Sequence, residues 1–383
     1  MKHPKIHITY LVSTLGRSGP TRQLFYLIRN LDSSRFRATI ITLSPEPHDS
    51  LRPEFSRLEV DLECLTATRT NNPFFIYKRL NALLCSIQPD ILHSQGFRAD
   101  VFGLLLSSAL LQISSQRNDP FEEYPPLYGA ILGRVIAFTH AWCLRHITCV
   151  VTCSHSLTQK NTKYGIRSDF VRNGISQSLA ITRDVTSLPK EALTFFHLFD
   201  RHPVFLYSGP LVSRKQPQML LRAFLEPDLQ HLGLVVLGDG PLLSECRAIT
   251  NDAPNIFFAG AVDNVDQYLY KSACYVSASL SEGLPNSVLE AFRAGLPAIL
   301  SDIPAHRELE GLAPRAVHIF RIDNASDLGS AISSFTRLSN IGEVTARAIQ
   351  DHFNSEKMSA HYQEIYVQMM GQSIEFKMGQ ERG

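Results

Sequence analysis

Short β-branched runs and amphipathic stretches alternate along this chain, and they do so in two successive rounds. In the first round residues 6–12, 38–42, 91–93, 112–115 and 149–153 read as strands. Between them residues 21–31, 73–86 and 100–109, a long segment at 127–144, and residues 156–164 read as helices. The second round offers strands at 204–208, 233–237, 256–259, 274–277 and 298–301, alternating with helices near 216–224, 241–250, 265–271, 288–295 and 327–337. Repeated βα alternation specifies a doubly wound parallel sheet, and two rounds specify two Rossmann-like α/β halves. Ligands of such sheets sit beyond the strand ends, which directs attention to a cleft between the halves. A chain of 383 residues with 44% hydrophobic content also exceeds what one core usually serves.

The break between the halves falls in the weakly patterned stretch from Asn173-Gly174 to His202-Pro203, within which residues 181–189 show no sustained period. The expected organisation is an N-terminal domain over 1–180, a C-terminal domain over 181–354 and a closing helix over 355–371. Met358, Tyr362, Ile365 and Tyr366 give that helix an apolar face, and a frayed tail over 372–383 follows it.

Charge is unevenly divided. Residues 1–180 hold 20 Lys and Arg against 13 Asp and Glu, a balance of +7, whereas residues 181–383 hold 17 against 23, a balance of −6. The basic half suits an anionic partner such as a phospholipid surface or a lipid-linked diphosphate. Nothing in the pattern calls for nucleic acid. Seven scattered cysteines, odd in number and mostly in apolar runs, read as reduced, buried thiols of a cytosolic protein. No stretch reaches the length of a spanning helix, so membrane contact would be peripheral, at the inner face of the cytoplasmic membrane. The opening Met1-Lys2-His3-Pro4-Lys5 lacks a small-residue cleavage site and leads into a first strand instead of a signal peptide.

The chemistry concentrates in Ser281-Glu282-Gly283-Leu284-Pro285-Asn286-Ser287-Val288-Leu289-Glu290-Ala291. A short strand precedes it and a helix from Val288 follows, so Gly283, Leu284, Pro285 and Asn286 form a strand-to-helix loop whose N–H groups favour a diphosphate. Glu282 on the loop and Glu290 in the first helical turn can each accept hydrogen bonds from sugar or ribose hydroxyls. Ser287 three positions ahead of Glu290 is also a capping-box pattern, which needs no ligand.

The whole string resembles the signature of the retaining GT-B glycosyltransferases, in particular glycosyltransferase family 4 (group 1): two glutamates separated by seven residues around a Gly-hydrophobic-Pro turn. The resemblance runs on through Glu290-Ala291-Phe292-Arg293-Ala294-Gly295-Leu296-Pro297-Ala298. It implies a GT-B fold, two Rossmann-like domains facing across a cleft with a final helix crossing back to the first. Gly209-Pro210-Leu211-Val212-Ser213-Arg214-Lys215 is similar to the family's Gly-x-Leu-x-x-x-Lys segment, whose basic residues neutralise the departing nucleotide diphosphate. The family usually has Gly after that Lys, where this chain has Gln216. Arg214 offers a planar fork for the diphosphate and Lys215 a mobile charge.

Leu237-Gly238-Asp239-Gly240-Pro241 resembles the turn that lies near the nucleotide, and the loop holding Val262 resembles the one whose backbone reads the base. Ser18-Gly19-Pro20 looks like the family's glycine-rich first loop, with Ser18 replacing the first Gly and Gly19 kept for close approach of backbone to phosphate. On the acceptor side stand His93 at a strand end, for which a packing role is the commoner alternative, and Arg117 with Asn118. Relatives often place a histidine near the Arg117 position.

The reaction so implied moves a sugar from a nucleotide-diphosphate donor to a hydroxyl acceptor with retention, the acceptor being a lipid-linked or growing cell-surface glycan. The stretch from Arg117 to Gly129 resembles bacterial cell-surface polysaccharide enzymes. No cofactor is called for, and no Asp-x-Asp signature in a strand-end loop calls for a metal; residues 59–63 read as an exposed strand edge. Arg214, Lys215 and helix N-termini take the charge-stabilising task. Two other readings share the plan: a sugar-nucleotide epimerase and a catalytically silent nucleotide-sugar-binding paralog. A PLP-dependent phosphorylase lacks a lysine in a recognisable cofactor context.

Overall fold

The computed structural model describes residues 5–66, 72–106, 110–176, 187–335 and 340–380. The chain divides into two compact units, residues 1–174 with 355–383, and residues 175–354. The unpatterned residues 181–186 of the expected linker and the last three residues of the expected tail lie outside the described residues.

Unit 1 is built on a parallel sheet of β1 (Ile6–Val12), β2 (Phe36–Thr42), β3 (Val60–Cys64), β4 (Ile91–Gln95), β5 (Leu111–Gln116), β6 (Cys149–Thr152) and β7 (Asp169–Phe170). Their spatial order is β3-β2-β1-β4-β5-β6-β7, all neighbours parallel. β1 is buried on both faces and lies inside the sheet, paired with β2 through Ile6↔Phe36 and with β4 through Ile8↔Ile91. β3 alternates intermediate and exposed residues because it closes the sheet edge with one side open.

The helix expected over 127–144 is two helices, Pro120–Tyr128 and Ala130–His146, broken at Gly129, whose φ of +84° no L-residue holds comfortably. They pack closely at Gly133, where a Cβ would stand 2.5 Å from the Tyr124 carbonyl oxygen. The final helix, Ser355–Gln380, does not stop at Gly371. It lies on the helix Gly19–Arg29, with Ser359 Oγ donating to the Leu27 carbonyl (2.8 Å) and Gln363 Nε2 to the Asn30 carbonyl (3.1 Å).

Unit 2 holds β8 (Val204–Ser208), β9 (Gly233–Leu237), β10 (Ile256–Gly260), β11 (Cys274–Ser277), β12 (Ala298–Ser301) and β13 (Val317–Phe320). The order is β10-β9-β8-β11-β12-β13, again parallel throughout. Its core packs Phe205, Leu234, Val236 and Val276 of the sheet against Leu220, Leu221 and Phe224 of the helix Pro217–Leu225. In both sheets the chain reverses direction of travel at the middle, between β1 and β4 and between β8 and β11. Loops leaving the carboxyl ends of those strand pairs diverge and leave an opening for a ligand.

All seven cysteines are free, but only Cys143, Cys153, Cys246 and Cys274 are buried as expected; Cys85 is exposed, and Cys64 and Cys149 are half-buried.

Candidate active site

The loops at the reversal point of unit 2 bring together what lies far apart in sequence. β8 feeds the 3-10 turn Ser213–Lys215, and β11 feeds the loop that carries Glu282 into the helix Asn286–Arg293. The Leu280 N–H donates to the Arg214 carbonyl at 2.8 Å, so the two loops are tied through their backbones. Lys215 Nζ and Arg214 Nη1 then converge on one carboxylate: Lys215 bonds Glu282 Oε1, and Arg214 lies 3.2 Å from Glu282 Oε2 while also donating to the Ser281 carbonyl. The Glu282 side chain is only 7% exposed. Burial alone would push its carboxyl up, yet Lys215 and Arg214 together overcome that and hold it near about 2. Two fixed cations around one ionised carboxylate leave the cluster with an excess positive charge, sheltered from water.

Glycines set this arrangement. A Cβ on Gly238 would stand 2.0 Å from the Gly209 carbonyl oxygen, and one on Gly240 2.5 Å from that of Leu211. The loops after β8 and β9 therefore run in direct contact, joined by the Gly209 N–H to the Leu237 carbonyl (3.0 Å) and the Leu211 N–H to the Asp239 carbonyl (2.9 Å). The N–H groups of Gly209, Gly238 and Gly240 go to Leu237, Gly260 and the Asp239 side chain. These glycines build the loop framework through packing. Gln216 has φ +46° and ψ +49°, which explains in physical terms why a glycine suits this position. Val262 is half-buried in the loop between β10 and the helix Val265–Lys271.

The helix after Glu282 begins at Asn286 with Pro285 as N-cap and no side-chain cap bond, two residues earlier than the sequence indicates. Ser287 thus lies inside the helix, and its capping-box reading is not realised. Its hydroxyl instead stands 2.8 Å from that of Tyr275, which donates to the Ser208 carbonyl (3.1 Å). Glu290 falls in the second helical turn and is half-buried. Gly283, Leu284 and Pro285 are buried and Asn286 half-buried. Burial, and then the carboxylates of both Glu282 and Glu290, raise the Tyr275 hydroxyl above its usual range, so Tyr275 links the glutamate pair electrostatically.

Sequence reading passed over Tyr275 and His306. His306 is fully buried in the helix Pro304–Leu312, with Nδ1 at 2.8 Å from the Ser301 carbonyl and Nε2 without a hydrogen-bond partner among the described residues. Burial pushes it down to about 4 although Glu282 acts in the opposite direction. A histidine two residues into a helix that begins with Pro carries no local mark of this role.

The reversal point of unit 1 forms a cavity of about 840 Å³, walled by Ser13 and Thr14 after β1, Gly96 after β4, Arg117 and Asn118 after β5, and Tyr124. Arg117 is buried and its Nη1 donates to Asn173 Oδ1 at 2.6 Å. Gly19 opens the helix Gly19–Arg29, where Ser18 is the N-cap and its Oγ accepts from the Thr21 N–H (3.3 Å). His93 is not on the cavity wall. It is 2% exposed, with Nδ1 at 2.7 Å from the Tyr366 hydroxyl and Nε2 at 2.8 Å from Ser115 Oγ, and burial pushes it down to about 3. The wall holds a chain that the sequence does not announce: Tyr124 hydroxyl to His140 Nδ1 (2.8 Å), His140 Nε2 to Asp100 Oδ2 (2.8 Å) and Ser94 Oγ to Asp100 Oδ1 (2.6 Å). Among the described residues no group of three or more His, Cys, Asp or Glu side chains is placed to hold a metal ion.

Two parallel α/β units with their polar clusters at the sheet reversal points define the class as GT-B. The family model described as glycosyl transferase 4-like domain matches residues 18–174, and that for glycosyl transferases group 1 matches residues 202–336. The chain thus carries a glycosyl transferase 4-like domain followed by a glycosyl transferases group 1 domain, and it spans about 60% of the length of the first curated relatives it matches. It is 28% identical over 256 residues to an uncharacterized glycosyltransferase of Methanocaldococcus jannaschii, a match covering 60% of each chain. It is 21% identical to the O-antigen biosynthesis glycosyltransferase WclY of Escherichia coli over 94% of this chain and 97% of that one. In fold it is similar to the sucrose-phosphate synthase of Thermosynechococcus elongatus (TM-score 0.77, 16% identity, 96% of this chain and 100% of that one). Anabaena HepE, solved in complex with UDP, gives a TM-score of 0.75 at 15% identity, over 95% and 100%.

Proposed function

We propose that this glycosyltransferase moves a sugar from a nucleotide-diphosphate donor to a hydroxyl acceptor with retention at the anomeric carbon, needing neither metal nor cofactor. The observation that carries the reading is the pairing of Arg214 and Lys215 with the single buried carboxylate of Glu282 at the reversal point of the second sheet. A preorganised excess of positive charge in a water-poor loop cluster favours a diphosphate, and favours it more as negative charge develops on the leaving group. Arg214 and Lys215 stabilise the leaving diphosphate, Glu282 orients the donor sugar and holds both cations in place, and Glu290 receives the ribose hydroxyls. In the reaction the acceptor oxygen bonds the anomeric carbon as the bond from that carbon to the diphosphate oxygen breaks. The electron pair stays with the diphosphate, which takes the acceptor's proton, so no dedicated protein base is required.

The HepE complexes with UDP and UDP-glucose make uridine diphosphate sugars the first donors to test. The O-antigen relatives support an envelope glycan acceptor, reached where the basic N-terminal half meets an anionic membrane. The test is a panel of nucleotide sugars screened by thermal shift, then product analysis by NMR with the stabilising donor. The expected product keeps the donor's anomeric configuration, and added chelator leaves the rate unchanged. Inversion, or isomerisation of the donor without transfer, would overturn the reading. Glu290→Ala should weaken donor stabilisation at least about tenfold in apparent affinity through loss of its hydrogen bonds.

A further inference from the structure

We propose that one helix layer of unit 1 is a docking surface for an anionic lipid bilayer, with the helix Ala130–His146 lying flat in the headgroup region. This deepens the membrane contact in the reading above and names the surface that makes it. The inner side of that helix is spent on the fold: Gly133, Ala137, His140, Ala141 and Leu144 are buried. Its outer side presents Ile131, Leu132, Val135, Phe138 and Trp142 at helical spacing, with Ile131 84%, Phe138 66% and Trp142 53% exposed. So many large apolar side chains in one stripe mark an interaction surface, not scattered exposure.

The charge pattern names the occupant. The helix contains no Asp or Glu, and its basic residues are Arg134, His140, Arg145 and His146, of which only His140 is buried. The helix Pro73–Ile87 repeats the composition: no Asp or Glu, Phe74 and Phe75 exposed, and the cations of Lys78 and Arg79 lying 4.7 and 5.6 Å from those rings. Both helices pack on the helix Phe97–Leu106, which exposes Leu105, so all three form one layer. The acid of that middle helix, Asp100, is buried and bonded to His140. The adjoining helix Pro120–Tyr128 adds Glu122 and Glu123, both half-buried, with Glu122 paired to Lys160. Large apolar side chains on two helices whose own charged residues are all basic match acyl chains under acidic headgroups, and aromatic rings settle at that boundary. At 17 residues, with its inner side packed on protein, the helix lies along a bilayer and does not cross it.

Trp142 is the single tryptophan of the chain, so the surface carries its own reporter. The full chain is mixed, without donor, with vesicles of phosphatidylglycerol and phosphatidylcholine, or of phosphatidylcholine alone. Expected are co-sedimentation with the anionic vesicles, a blue shift of the Trp142 emission, and quenching by lipids brominated high on the acyl chain. Ile131→Ser with Phe138→Ser should lower vesicle affinity at least about tenfold. Lys78→Glu with Arg134→Glu should abolish the preference for anionic vesicles. Absence of the blue shift, affinity unmoved by these variants, or lipid-independent self-association through the same residues would each overturn the proposal. Donor-induced thermal stabilisation, measured on the same samples, separates the two readings: retained stabilisation without vesicle binding removes the docking surface and leaves sugar transfer standing.

Discussion

Glu282 is one negative charge between two positive ones, and its geometry depends on glycines that touch no charge. Gly238 (φ +129°) and Gly240 allow the loop after β9 to lie against the loop after β8, and that contact fixes where the turn Ser213–Lys215 begins. Gly238→Ala must either break the contact or shift the Gly209 carbonyl. We expect a loss of at least about 2 kcal/mol in urea unfolding, from steric overlap and positive-φ strain together, along with weaker donor stabilisation. An unchanged unfolding midpoint would show that the loops yield freely. At this scale the sequence displayed the charged residues plainly, because Arg214, Lys215, Glu282 and Glu290 belong to recognisable strings. It did not display their partners. A strand-end histidine reads the same whether it faces a cavity or the opposite side of the sheet, and His93 faces Tyr362 and Tyr366 of the final helix, about 270 positions away. Tyr275 and His306 acquire their roles only through burial against residues distant in sequence.

Elements carry the pH dependence. His306, in the helix Pro304–Leu312, is pushed down to about 4, and His93, in β4, to about 3, against an ordinary value of 6.5, mainly by burial. Between 6.5 and those values the unfolded chain binds protons that the folded chain refuses, so stability is full above 6.5 and falls as pH drops toward 4. Glu282 adds a second fall at lower pH: its stabilising charge is complete above its ordinary 4.5 and is lost as pH approaches about 2. Chemical denaturation across pH 7 to 4 should show the first fall, and His306→Gln should make it shallower. A flat profile would contradict neutral burial of both imidazoles. The buried apolar strands were legible, with β1, β8, β9, β11 and β12 matching their expected limits. β7, two residues long, is too short to express a period, and β13, at the sheet edge, has its apolar run broken by the exposed His318. Gly129 was visible in the sequence, but the left-handed turn that splits the expected helix there depends on packing at Gly133.

At the level of the whole molecule, two α/β units each place a polar cluster at the reversal point of a parallel sheet, and the two rounds of alternation made that plan readable before any coordinates. The second cluster is positively charged and preorganised, and the account stands on its being the seat of the donor diphosphate. The most direct measurement is calorimetric titration of UDP into the wild-type chain and into Arg214→Met/Lys215→Met/Glu282→Gln, a variant that removes the buried charges together so that none is left uncompensated. The account predicts saturable binding by the wild type and a loss of at least about a hundredfold, roughly 2.7 kcal/mol, in the variant, with native near-UV circular dichroism retained. Equal affinity in the two folded proteins would contradict it.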